Sequence, residues 1–290
     1  MTLPADSSTT LLGLFGHPVH HSLSPSIHNA AFRAAGLNWI YLAFEVEPSG
    51  LRRAFEGCRA LQVVGLNITI PHKQSVIPLI DELSQEARLI GAVNTVHFVE
   101  GKAKGYNGDG RGFISALREE KGFNLSGKKI CVIGAGGAGR AVAVQAAWEG
   151  AGQISIADLE EKKAEDLSLL INQRIKEDLA LAGKIKGPQW EESISRADLV
   201  VDATPLGLEK DDPLSFDPNL LSSSALVVDL VYNPPQTRLL KEVKKLGRGA
   251  MNGLGMLVHQ AALSWEIWTG RPAPLEVMKE AARSALRDKR

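Results

Sequence analysis

The tract Ile130-Cys-Val-Ile-Gly-Ala-Gly-Gly-Ala-Gly139 sets Gly134, Gly136 and Gly139 at the spacing G-x-G-x-x-G. Where a strand turns into a helix, each of these glycines has its own task. The first permits the tight turn, the second lets backbone approach a pyrophosphate, and the third lets the helix pack closely. Residues 130–133 form a short apolar run suited to a buried parallel strand, and an Ala/Val-rich stretch over 140–148 suits a helix. Gly137, Ala138 and Gly139 would open that helix, whose N–H groups face phosphate. A second apolar run, 153–157, ends on Asp158. Alone the glycine spacing is a turn; with strand, helix, strand and terminal acid it predicts a dinucleotide site.

More than a hundred residues precede this unit and hold a different set of polar groups. In Leu66-Asn-Ile-Thr-Ile-Pro-His-Lys73 the alternation puts Leu66, Ile68 and Ile70 on one strand face and Asn67 and Thr69 on the other. Lys73 follows just past the strand end. By itself this reads as a solvated face with a surface lysine, and Asp109, flanked by glycines, as a turn aspartate. The loop 16–25 presents Ser22 and Ser24 ahead of a helix, with Ser24 suited to the N-cap. His17, His20, His21 and His28 have no interleaved carboxylate or cysteine, so no metal site is expected. Met256 and Gln260 lie four apart and would share a helix face.

The elements needed to hold these groups follow from periodicity. Strands are expected over 11–15, 39–46, 63–70, 130–133, 153–157, 199–203 and 225–231. Helices are expected over 25–35, 48–59, 75–82, 110–121, 140–148, 160–182, 237–246, 254–268 and 275–286. Residues 92–99 and 104–106 suggest a hairpin turning at Glu100-Gly101. The alternation of strands and helices, in a chain of 290 residues, points to two α/β domains.

Composition narrows the class. Lys+Arg and Asp+Glu balance at 33 each, so no global field favours nucleic acid or an anionic membrane. Two cysteines cannot make a disulfide framework, which fits a reducing, cytoplasmic setting. Residues 1–10 show no signal-peptide pattern, and no apolar run reaches bilayer length. A small-molecule substrate is expected, with the chain a monomer or homodimer.

Six segments in unbroken order resemble the shikimate dehydrogenase family: Ser22 to Asn29, Asn67 to Lys73, Gly91 to Thr95, the Asn107/Asp109 turn, Asp229 to Thr237 and Asn252 to Ala261. The resemblance implies a substrate domain over 1–109 plus 254–290, with the C-terminal helices returning to it, and a Rossmann-type doubly wound parallel sheet over 110–253. It implies reversible hydride transfer between shikimate and 3-dehydroshikimate, in aromatic amino acid biosynthesis. Lys73 and Asp109 would be the catalytic pair. Ser22 and Ser24 would bind the substrate carboxylate, Asn67, Thr69, Asn94 and Gln260 its hydroxyls, and Tyr232 would close over it. Gly134, Gly136, Gly137, Ala138, Gly139, Asp158, Thr204, Gly253 and Met256 would line the cofactor.

Three positions depart from the family pattern. Gly108 stands where threonine is usual, Asp202 where asparagine is usual, and Asp158-Leu-Glu160 where many NADP-using members have Asn-Arg-Thr. A carboxylate at 158 accepts from a ribose 2′-OH and repels a 2′-phosphate, so NAD is the expected cofactor, with Lys162 and Lys163 leaving NADP open. NAD use in this family accompanies quinate oxidation, which makes a quinate/shikimate dehydrogenase the alternative. A nucleotide-binding sensor is the non-enzyme alternative, disfavoured by the intact Lys73 and Asp109. A methylenetetrahydrofolate-type dehydrogenase would lack the serine loop.

Overall fold

The computed structural model describes residues 5–288; the first four and last two, which the expected domain limits at 1 and 290 include, lie outside the described residues. In chain order come β1 (Thr10–Gly16), α1 (Ser24–Ala34), β2 (Trp39–Glu45), α2 (Leu51–Ala60), β3 (Gly65–Ile68) and α3 (His72–Ser75). Next are β4 (Glu82–Leu83), α4 (Gln85–Ile90), β5 (Thr95–Val99), β6 (Lys102–Tyr106) and α5 (Asp109–Lys121). The glycine tract then opens β7 (Lys129–Ile133), α6 (Gly137–Trp148), β8 (Gln153–Ala157), α7 (Glu161–Arg174), β9 (Ala180–Gly183) and α8 (Pro188–Arg196). The chain finishes with β10 (Leu199–Asp202), β11 (Leu226–Asp229), α9 (Arg238–Lys245), β12 (Gly249–Asn252), α10 (Leu254–Thr269) and α11 (Leu275–Asp288). It divides into two compact units, Met1–Gly112 with Leu257–Arg290, and Phe113–Met256.

The first unit is built on a mixed sheet of order β2-β1-β3-β5-β6-β4. β1 runs parallel to β2 and β3, whereas β5 runs antiparallel to β3 and sets Asn67 opposite Thr95. The β5–β6 hairpin turns at Glu100 and Gly101 with φ of 52° and 78°, the paired positive values that match a two-residue turn to strand twist. Phe15, Phe55, Leu66, Ile68 and Val96 fill one core, each such side chain contributing about 1.5–3 kcal/mol by leaving water. Aromatic packing ties the helices in: Phe32 stacks on Trp265 at 5.1 Å, and His28 on Tyr41 at 4.5 Å. Trp268 Nε1 donates to Val96 O at 2.9 Å, fastening α10 to the sheet.

Local expectations fail here where a few residues decide them. Ser24 is the first residue of α1, not its cap; Leu23 precedes it without a capping side chain, and Ser22 Oγ accepts from Ser24 N at 3.2 Å. β3 ends at Ile68, with Thr69 N still bonded to Phe15 O at 2.9 Å, and Ile70 is 66% exposed. The helix expected over 75–82 does not form: α3 stops at Ser75, a 3-10 turn containing Pro78 follows, and β4 pairs with β6. Pro78 supplies no N–H to continue a helix.

The second unit carries a wholly parallel sheet, β12-β11-β10-β7-β8-β9. Its inner strands β10 and β11 are buried end to end, as parallel strands covered by helices must be. Strand order reverses between β7 and β10, and in such sheets the crevice at the carboxyl ends of those strands receives the ligand. The expected helix over 160–182 ends early, at Arg174; Asp178 turns with φ 53°, and β9 pairs with β8. Asn172 fixes that edge, its side chain bonding both Ala180 N and Ala180 O at 2.8 Å. The expected α/β architecture, a doubly wound sheet in one unit and a second α/β unit that takes up the C-terminal helices, is the one present. Among the described residues, no helix is long and apolar enough to cross a membrane.

Candidate active site

Lys73 sits on the short helix α3, whose preceding residue His72 is fully buried and holds Val46 O at 2.6 Å through Nε2. Lys73 O accepts from Val93 N at 2.7 Å, so backbone fixes the lysine on both sides. Asp109 opens α5, and Asn107 positions it by accepting its N–H at 3.0 Å and donating to Ala92 O at 3.0 Å. The two side chains meet: Lys73 Nζ lies 2.6 Å from Asp109 Oδ2, with the lysine 15% and the aspartate 5% exposed. A charge-assisted hydrogen bond so sheltered is stronger than a surface pair.

Asn94 completes the cluster. Its Nδ2 donates to Asp109 Oδ1 at 2.8 Å and reaches Gln260 Oε1 at 3.3 Å, while its Oδ1 accepts from Gly108 N at 2.9 Å. Asn67 lies behind, 4% exposed, with Nδ2 directed to Asn94 O, Thr95 Oγ1 and Ser264 Oγ at 2.9–3.2 Å. Tyr41 donates its hydroxyl to Asn67 Oδ1 at 2.7 Å; burial pushes its phenol well above the usual range, so it stays a donor. Tyr41, Thr95 and Ser264 escaped the sequence reading. Ser264 had a signal, since it stands one helical turn beyond Gln260.

The other expected substrate contacts are placed less tightly. Ser24 is buried beside Tyr41, Ser22 accepts from its backbone, and Thr69 is half-buried where β3 ends. Two histidines of the same loop, His17 and His20, face Glu45. His28 is stacked under Tyr41, and burial pushes its imidazole down to about 3. Among the described residues, no group of three His, Cys, Asp or Glu side chains could hold a metal ion. Tyr232 lies in the second unit, in the loop after β11.

In the second unit Gly134 and Gly139 have the turn and the close packing that the spacing predicts. Gly134 has φ of 94°, and a Cβ on Gly139 would lie 1.8 Å from Gly134 O, so turn and helix touch. At Gly136 a Cβ would meet no atom within 4 Å and φ is an ordinary −71°. Nothing in the protein requires that glycine; the open space at the N-terminus of α6 fits the approach of a phosphate. Thr204 follows β10, with N and Oγ1 both bonded to Asp202 Oδ1, at 3.0 and 2.7 Å. Gly253 and the buried Met256 stand at the start of α10.

Asp202 and Asp229 are buried carboxylates at matched ends of β10 and β11. Burial raises both, and Asp229 is pushed to about 7, with the Asp202 charge adding to the effect. A carboxyl whose folded value exceeds its unfolded one stabilises fully at low pH and loses that contribution as pH rises through the folded value. Denaturation of the parent between pH 4 and about 7 is therefore expected to show this loss, and Asp229→Asn to remove that part of the slope. Identical slopes in the two proteins would exclude the assignment.

Asp158 does not stand free at the end of β8. Its Oδ2 accepts from Ala135 N at 2.6 Å and its Oδ1 from Glu160 N at 2.9 Å. The carboxylate is a bracket for the glycine loop and for its own turn.

Comparison with known proteins places the chain. A family model described as the shikimate dehydrogenase substrate binding domain matches residues 14–96, and one described as the shikimate 5'-dehydrogenase C-terminal domain matches 253–283. A shikimate dehydrogenase (NADP(+)) of Methanopyrus kandleri is 48% identical over 99% of both chains. A crystal structure of a shikimate dehydrogenase in complex with NADP+ superposes with a TM-score of 0.89 at 41% identity, over 98% of each chain. The shikimate 5-dehydrogenase of Thermus thermophilus in complex with NADP(H) and shikimate gives 0.84 at 35% identity, over 95% of this chain and 99% of its own. The expected preference for NAD is thereby overturned, since relatives at 41–48% identity are named for NADP(+). Asp158 holds backbone N–H groups of the glycine loop and of its own turn, a structural task that is the same whichever ribose substituent is bound, so an acid at this position does not by itself report the cofactor. By family model, near-full-length identity and fold, the chain belongs to the shikimate dehydrogenase family.

Proposed function

We propose that the chain catalyses the reversible NADP-dependent interconversion of shikimate and 3-dehydroshikimate, with the first unit holding the substrate and the second the cofactor. The buried Lys73–Asp109 pair is the observation that carries this reading. When bound, NADP supplies the nicotinamide carbon that exchanges hydride with the carbinol carbon. Oxidising that carbinol also requires its hydroxyl proton to leave, and Lys73 with Asp109 handles that proton as a unit. In reduction the Lys73 ammonium lies against the carbonyl oxygen and stabilises its growing charge. Asn94 and Gln260 orient the ring hydroxyls, with Thr69 and Asn67 beside them. Ser22 and Ser24 bind the carboxylate. Hydroxyl and amide groups suit this work because they fix direction without a counter-charge.

On the cofactor side the N–H groups at the start of α6 would hold the pyrophosphate. Lys162 and Lys163, exposed in the first turn of α7, are the cations that follow Asp158 most closely and would meet the 2′-phosphate. Changing both to alanine is expected to raise KM for NADP about tenfold with kcat little changed. A KM left at the parental value would remove them from the site. The function itself is tested by mixing purified protein with NADP and either shikimate or quinate and following the reduced nicotinamide by absorbance. Turnover with shikimate is expected; silence with shikimate overturns the reading.

A further inference from the structure

An asparagine side chain has two orientations that differ only in which end carries the oxygen. For Asn94 the choice decides whether the Lys73–Asp109 pair is supported or repelled. As placed, Nδ2 donates to Asp109 Oδ1 at 2.8 Å and Oδ1 accepts from Gly108 N at 2.9 Å. Turned over, the amide oxygen would face the Asp109 carboxylate, and an N–H would face the Gly108 N–H. A second donor guards the correct orientation: Thr95 Oγ1 lies 2.9 Å from Asn94 Oδ1.

A hydroxyl has one proton to give, so its other neighbours decide where it goes. Thr95 Oγ1 receives Asn67 Nδ2 at 3.2 Å and lies 2.8 Å from Ser264 Oγ, which can act as donor. Asn67 is held in its own orientation by the Tyr41 hydroxyl at 2.7 Å. Ser264 Oγ has two outlets for its proton, Thr95 Oγ1 and Gln260 O at 3.1 Å, whereas Asn94 Oδ1 can only accept, so the 2.9 Å contact has Thr95 as its donor. Thr95, Ser264 and Tyr41 are at most 1% exposed, so water does not compete for these bonds.

We propose that Thr95 is a positioning residue for the reaction. Its hydroxyl keeps the Asn94 amide turned with Nδ2 on Asp109, and so holds Asp109 Oδ2 against Lys73 Nζ. This rests on the reading of Lys73 and Asp109 as the proton-handling pair. Thr95→Val keeps volume and branching but removes the donor. With NADP and shikimate its kcat is expected to fall about 10- to 100-fold, with KM for shikimate within about threefold. Thr95→Ser, which restores the hydroxyl, should return kcat to within about threefold of the parent. The double variant Thr95→Val/Lys73→Ala should be no slower than Lys73→Ala alone by more than about twofold, because groups acting as a unit are not additive.

Parental kcat in Thr95→Val overturns the proposal, as does an equal loss in Thr95→Ser, which would mark a packing role. Full multiplication of the two losses in the double variant overturns it as well. If Lys73→Ala keeps parental turnover, the pair reading falls and the proposal with it. If Lys73→Ala is inactive while Thr95→Val is unimpaired, only the proposal falls. Circular dichroism checks folding first; should Thr95→Val not fold, Thr95→Ala is held to the same criteria.

Discussion

Lys73→Ala is expected to lower kcat by about two to four orders of magnitude, while KM for shikimate moves by no more than about fivefold. The split follows from where the ammonium sits. Its partner is Asp109, at 2.6 Å, and Asp109 in turn is held by Asn94, so the lysine is placed to act on a proton instead of anchoring the ring. In the proposed reading, binding energy comes from neutral donors and acceptors, which the substitution leaves in place. Steady-state kinetics with NADP and shikimate measure both constants. The variant also leaves a nearly buried carboxylate without its cation, so part of any loss could be structural, and a melting curve separates that part. A raised KM with unchanged kcat would make Lys73 a binding residue and end the assignment.

Gly139→Ala is expected to disable the second unit altogether. The new Cβ would fall 1.8 Å from Gly134 O, a backbone atom that cannot rotate away. Relief requires α6 to lift from the turn after β7, which moves its N-terminal N–H groups off the position where phosphate would lie. An overpacked contact of this kind costs about 1–3 kcal/mol, and more where backbone must shift. Denaturation should show the lost stability, and titration with NADP should show weakened binding even in molecules that remain folded. Gly136→Ala separates the two effects: its Cβ meets no protein atom, so stability should hold while NADP binding falls. If Gly136→Ala bound NADP normally, the open space there would not be a phosphate site.

Much of the fold was legible because its signals are local. β7, the glycine turn, α6 and β8 occupy one uninterrupted stretch, and hydrophobic period with glycine placement specified all four. The misses are segments whose state was settled by neighbours. β9 (Ala180–Gly183) and β12 (Gly249–Asn252) lack the buried apolar run that marks the equally short β10 and β11, and exist because an adjacent strand offers its hydrogen bonds. The helix expected over 75–82 yielded to Pro78 and to the pairing of β4 with β6.

The candidate site divides in the same way. The sequence alone determined the residue types and the cofactor class: a backbone cradle for phosphates, and a lysine, an aspartate and several amides able to handle a polyhydroxy ring. Those properties belong to short motifs and survive without knowledge of contacts. Tertiary structure alone decided which groups face one another. Asn67 meets Ser264 across 197 residues of chain, and Asn94 meets Gln260 across 166, separations over which no sequence period carries information. It also decided what Asp158 does. From sequence that carboxylate is an acceptor waiting for a ribose; in the fold it also holds the Ala135 and Glu160 N–H groups, a task independent of the ribose. A side chain's chemistry is written in its residue type, but its task depends on the neighbours that reach it.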